Sequence, residues 1–272
     1  MELEKKILRL NYYAFALHLA SAIAVGLYFA LASGKINFNT TFYTYKITGI
    51  EGNRDQNVAF SFGEENPHLE LTDIDLKFLV VFIFLITAIF HWFYFTSKKY
   101  VNEIRTGKNR FRWLEYGITA TLMIFTLGAI SGVKELYVII LICVINILMM
   151  TFGYFLEMSS NKQVKTVALV FGFFSLISIF AIFLANFYPN VESADDLGRK
   201  VPDWVQIVLL PMISWWALFG VVAALNSRSY GKKNYNFLKY ERYYILLSYF
   251  SKAFMGYYLA YGLTRPKAKL KN

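Results

Sequence analysis

Lys252 stands at the centre of 243–262, a twenty-residue run that is otherwise apolar, aromatic or small. A run of that length reads as a transmembrane helix. A lysine at the centre of such a helix costs about 2.5–3.5 kcal/mol on insertion, which makes it a functional-site candidate by default. Snorkelling does not account for it, because the nearer end of the span is about eleven residues away, beyond the reach of its stem.

Few other ionisable groups lie deep in apolar segments. They are His18, His91 and Glu115, with Glu157 at the end of its own segment. At about 1.5 Å of rise per residue, His18 and Lys252 each sit roughly 16 Å from the same edge, and His91 roughly 9 Å. One cluster in that half of the bundle is geometrically feasible. A buried lysine needs a counter-charge or must shed its proton. Glu115 is the carboxylate at a suitable depth, although it could equally pair with Arg112 at the membrane interface. Taken singly, each histidine is better read as a hydrogen-bonded core residue than as part of a site.

Two chemistries suit a deep amine beside one acid. A desolvated lysine is a good nucleophile toward an aldehyde, and the protonated Schiff base it forms is a buried cation that needs a counterion. Alternatively, Lys252 and Glu115 exchange a proton in ion-coupled transport. A zinc hydrolase would need several histidines at ligand spacing. His68 falls in a polar loop, away from the other two, so no metal site and no enzymatic reaction are expected.

The elements that must position these groups follow from composition. The 272 residues are 57% hydrophobic and 17% charged, with mean hydropathy +0.41, against about 45–50% and 25% in soluble domains. The expectation is an all-α membrane protein of one domain, 1–272. Its seven-transmembrane-helix bundle has spans near 7–32, 74–97, 112–131, 136–157, 164–188, 204–226 and 241–263. No cleavable leader pattern precedes the first span. The net charge of +10 is read as basic cytoplasmic loops and not as nucleic-acid binding.

Connections 98–112 and 227–242 are basic, whereas 35–73 and 189–203 carry most of the loop acids. Short basic loops stay in the cytoplasm, so the N-terminus is expected inside a cell membrane and the C-terminus outside. The basic tail 264–272 runs against that rule, and the loops outweigh it. Within 35–72, period-two alternation around a Gly/Asn/Asp-rich turn predicts a β-hairpin in the first extracellular loop. The lone Cys143 lies in an apolar run and allows no intramolecular disulfide.

Several motifs together resemble the heliorhodopsins, over essentially the whole chain. They are Arg112-Trp-Leu-Glu115-Tyr-Gly-Ile-Thr, Ser248-Tyr-Phe-Ser-Lys252, the two deep histidines, Asn146 with Met149, and the long strand-patterned loop. The resemblance implies an inverted seven-helix protein carrying all-trans retinal on Lys252 as a protonated Schiff base, with Glu115 as counterion. His18 and His91 would line a polar, hydrated cavity on the cytoplasmic side, with Ser248 and Thr87 each one turn before a key residue. Asn146 and Met149 would contact the chromophore. Tyr116, Thr119, Trp215, Trp216 and Phe219 are candidate pocket residues.

The same comparison separates the chain from light-driven pumps. Those typically carry an aspartate where Ser248 stands and a second acid eleven positions after the counterion, where this chain has Thr126. Ala120 and Ala224 also stand where polar residues are expected in the family. The expected activity is light sensing without efficient pumping. After light isomerises the retinal, the Schiff-base proton would move toward His18 and His91, and the helices would rearrange to signal to an unknown cytoplasmic partner. A light-gated proton or ion conductor and a retinal-independent transporter are the alternatives. The resemblance further implies a homodimer in the lipid bilayer, with the outer hairpin as a contact.

Overall fold

The computed structural model describes residues 2–31, 37–51, 59–196 and 201–264. Eight helices and two strands occur among them: α1 (Glu2–Leu31), β1 (Asn37–Glu51), β2 (Ala59–Asp75), α2 (Leu76–Thr96), α3 (Lys98–Arg105), α4 (Arg110–Ile130), α5 (Leu136–Met158), α6 (Lys162–Asp196), α7 (Asp203–Ser229) and α8 (Phe237–Leu263). The long helices close a ring. α1 packs on α2, α2 on α4, and α4, α5, α6, α7 and α8 follow in turn, with α8 returning to α1. α8 also touches α2.

Helices α1, α2, α4, α5, α6 and α7 are long and apolar enough to cross a membrane. α8 is as long as α7 but is not one of those six, because tyrosines at 240, 243, 244, 249, 257, 258 and 261 dilute its apolar character. Among the described residues, six apolar spans are therefore evident from length and composition, and the expected seventh, α8, meets the length alone.

Local capping explains the helix ends nearest the site. Ser97 is extended and serves two helices: its N–H donates to Phe93 O at the end of α2, and its Oγ accepts from Lys99 N at the start of α3. The short helix α3 lies inside a connection expected to be a plain loop. Gly107, at φ +77°, then turns the chain in a conformation that a Cβ would strain. Asn109 caps α4 by accepting from Arg112 N. α4 starts at Arg110 and α8 at Phe237, earlier than expected for either, so Arg112 falls in the first turn of α4 and Glu241 just past the first turn of α8. α6 continues to Asp196 through Pro189 and is not ended near 188.

β1 and β2 pair antiparallel, from Asn37 opposite Asp75 to Glu51 opposite Ala59, with four register irregularities. The expected turn lies largely in 52–58, outside the described residues, as do the end of the first span at 32 and most of the tail, 265–272.

Candidate functional site

Lys252 and Glu115 meet in the bundle interior. Lys252 Nζ donates to Glu115 Oε1 at 2.8 Å, and their side chains are 3% and 2% exposed. The neighbours match the requirements of a buried ion pair, which offsets its desolvation only when the remaining lone pairs and protons are satisfied. Nζ also donates to Ser248 Oγ at 2.7 Å, one turn earlier on α8. The second counterion oxygen, Oε2, accepts from Tyr94 OH at 2.9 Å. The Tyr116 ring lies 5.1 Å from Nζ. Thr119 is buried beside the pair, and its hydroxyl returns to Glu115 O on its own helix.

The paired alternative for Glu115 is not realised. Arg112 forms ion pairs with Glu157 and Glu241, and its guanidinium lies 3.9 Å from the Tyr244 ring centroid. All three charged side chains are buried. Asn109 completes the cluster, its backbone N–H donating to Glu157 and its Nδ2 to Glu241. Arg112 is therefore a buried residue whose charge is balanced by carboxylates from α5 and α8.

The histidines occupy the α1–α2 side of Lys252. His18 and His91 stack with ring centroids 5.6 Å apart, and His91 Nδ1 bonds Asn11 Oδ1 at 2.8 Å. Asn11 Nδ2 donates to Tyr100 OH, which donates to Glu241 Oε1 at 3.0 Å. Both ring nitrogens of His18 and Nε2 of His91 are buried without a protein partner. Buried polar atoms are normally hydrogen-bonded, so three orphans together mark a polar spot. Thr87 does not join them: its hydroxyl donates to Ile83 O, one turn back on α2.

On the opposite side of Lys252, helices α4–α8 line a partly open cavity. Lys252 and Ser248 stand in its wall with Tyr116, Thr119, Asn146, Met149, Trp216 and Phe219. Trp113 is there too. Trp215 is not: it stacks on Phe250, 6.4 Å away. Consecutive helix residues point about 100° apart, and here Trp216 takes the cavity side while Trp215 turns toward Phe250. Asn146 donates to Thr121 Oγ1, while its Oδ1 has no partner.

Five polar participants went unnoticed in the sequence: Tyr94, Asn11, Tyr100, Asn109 and Glu241. Tyr94 carried the only usable signal, since it lies three residues after His91 and so shares its helix face.

The sequence model of the family described as Heliorhodopsin matches residues 7–263. No curated protein matches the chain in sequence. Among solved structures, Exiguobacterium sibiricum rhodopsin is similar at 14% identity over 96% of each chain, with TM-score 0.66. A light-driven proton pump from Leptosphaeria maculans is similar at 13% identity over 94% of this chain and 95% of its own, with TM-score 0.62. The transmembrane domain of a Salpingoeca rosetta rhodopsin phosphodiesterase gives 12% identity, 97% and 87% coverage, and TM-score 0.64. At such identities the likeness establishes the fold alone.

Proposed function

This chain belongs to the heliorhodopsin family, and from that premise we propose that it is a light sensor with all-trans retinal on Lys252 as a protonated Schiff base. The observation that carries the reading is the buried Lys252–Glu115 pair, set in the wall of a largely apolar cavity. The residues fit the group. Lys252 offers an amine inside the cavity, and Tyr116, Met149, Trp216 and Phe219 offer flat or adaptable apolar walls. When bound, retinal supplies absorption of visible light and a change of shape by isomerisation.

The chain's own residues account for the rest. Lys252 Nζ would hold the group through its aldehyde carbon, the carbonyl oxygen leaving as water. Glu115 then serves as counterion to the cation that replaces the ammonium. Ser248 Oγ, one turn away, holds the nitrogen in place. A proton leaving the nitrogen can pass to Glu115 directly or toward His18 and His91, whose three unpartnered nitrogens face no other protein acceptor or donor.

Among the described residues, the buried carboxylates are Glu115, Glu157 and Glu241. The first adjoins Lys252, and the other two lie toward the start of α4. Thr126, farther along α4, turns its hydroxyl to Leu122 O. This one-sided distribution supports proton movement within one half of the bundle and argues against transport across it. With the N-terminus cytoplasmic and α8 as a seventh span, that half faces the cytoplasm, where a partner would read the change. A homodimer is part of the same proposal.

The test is to add all-trans retinal to the purified protein. A visible band that Lys252→Ala lacks is expected, and no band with the unaltered protein would overturn the reading. The polar series from His18 to Glu241 favours one second reading, a light-gated proton conductor. Voltage-clamp recording separates the two: sensing predicts no sustained photocurrent at any holding potential.

A further inference from the structure

Glu115 has two carboxylate oxygens, and only one faces Lys252. The other accepts from Tyr94 OH. Tyr94 is 2% exposed, and its ring stacks on Tyr100 with centroids 4.8 Å apart and planes 24° apart. Tyr100 is fully buried and holds Glu241 Oε1 with its hydroxyl. Glu241 Oε2 in turn pairs with Arg112. A continuous set of packed groups thus runs from the counterion on α4, across α2 and α3, to the N-terminal end of α8, the helix that carries Lys252.

We propose that Tyr94 is a positioning residue for Glu115 and that, stacked on Tyr100, it carries the charge state of Glu115 to Glu241 and the Arg112 cluster. The inference rests on the photoreceptor reading above. A phenol donates roughly twice as strongly to a carboxylate as to a neutral acceptor. While Glu115 is charged, Tyr94 is clamped between it and the Tyr100 ring. When Glu115 gains a proton, the clamp weakens at the hydroxyl, and the ring is free to shift on its neighbour. No hydrogen bond joins the two phenols among the contacts described, so the link is mechanical and not a proton wire. Tyr100 is fixed at its far end by Glu241 and Asn11, so movement of the stack is felt first by these two groups. Asn11 also holds His91, which brings the histidine pair into the same linkage.

The experiment loads the unaltered protein, Tyr94→Phe and Tyr100→Phe with all-trans retinal. A band in the unaltered protein upholds the photoreceptor reading whatever the variants do. Tyr94→Phe leaves the Glu115 charge unshared and nearer the nitrogen, so its absorption maximum moves to shorter wavelength, while Tyr100→Phe keeps the maximum unchanged. Fluorotyrosine at position 94, a more acidic donor, shifts the maximum to longer wavelength, and it alone decides if Tyr94→Phe fails to hold retinal. Light-minus-dark infrared spectra then follow the carboxyl signal that Glu241→Gln removes. That signal falls in both tyrosine variants if coupling follows the stack. An unmoved maximum with either change at position 94, or a full Glu241 signal without the phenols, would overturn the proposal.

Discussion

Arg112, three residues before Glu115 on α4, turns away from it and pairs with Glu157 and Glu241. One helical turn thereby separates two buried charge systems. Lys252 and Glu115 balance each other one to one. The Arg112 cluster contains two carboxylates against one guanidinium, with Lys165 near the Glu157 end over the Tyr230 ring. Keeping Arg112 occupied elsewhere leaves Glu115 as an undivided counter-charge for Lys252.

Arg112→Gln therefore strands two buried carboxylates that face each other without a cation between them. Removing one partner of a buried ionic group costs about 3–5 kcal/mol, and the apo protein should lose stability on that order in thermal or denaturant unfolding. Adding Glu241→Gln should restore a large part of it. Equal loss in the single and double variants would show that Arg112 acts through its ring contacts alone.

The Lys252–Glu115 pair makes a different forecast. Lys252→Met and Glu115→Gln each leave one buried charge unpartnered, at about 3–5 kcal/mol, whereas the double variant removes both and should be more stable than either. Such coupling is read from a double-mutant cycle on apo protein. In retinal-loaded protein, Glu115→Gln should also shift the visible band to longer wavelength, because the negative charge that stabilises positive charge at the nitrogen is gone. Additive losses and an unmoved band would break the assignment of Glu115 as counterion.

Legibility in the sequence tracked how local each signal was. Lys252 and Glu115 stood out because a charge inside an apolar run has few physical excuses. The ring of long helices followed from the same runs, and α8 was found through its aromatic residues even though its hydropathy falls short. The partners of Arg112 were hidden, since Glu241 is 129 positions away and was counted as the edge of a loop. Thr87 and Trp215 failed for a related reason: spacing fixes a helix face but not whether a hydroxyl bonds its own backbone or which of two adjacent indoles turns inward. Tyr100 was missed with α3, a short polar helix that has no membrane-length signature.

Tyr100 supplies a pH dependence. Burial, and next the adjacent Glu241 carboxylate, hold its phenol well above the ordinary range. The folded state therefore keeps this proton when the unfolded state, with a phenol pKa of about 10, releases it. Stability is fully present below pH about 10 and falls as pH rises beyond it, by up to about 1.4 kcal/mol per pH unit for one proton. Tyr100→Phe should flatten alkaline unfolding by that slope while lowering stability at neutral pH. An unchanged slope would mean that Tyr100 ionises as freely in the fold as outside it.

The cavity depends on a missing side chain. A Cβ at Gly153 on α5 would overlap the six-membered ring of Trp113. Trp113 lies between the main cavity and a smaller one that reaches Glu157 and Lys165. Its indole also faces the Arg112 guanidinium at 5.2 Å. Gly153→Ala must therefore push the indole into one cavity or the other, and overpacking of this kind costs about 1–3 kcal/mol. Retinal uptake at equilibrium should weaken about tenfold for each 1.4 kcal/mol that falls on the loaded form. Shrinking the displaced ring tests the cause: Gly153→Ala with Trp113→Phe should recover uptake that Gly153→Ala loses, although each change alone reduces it. Failure of the pair to recover would place the effect in the α5 backbone and not in the wall that Trp113 forms.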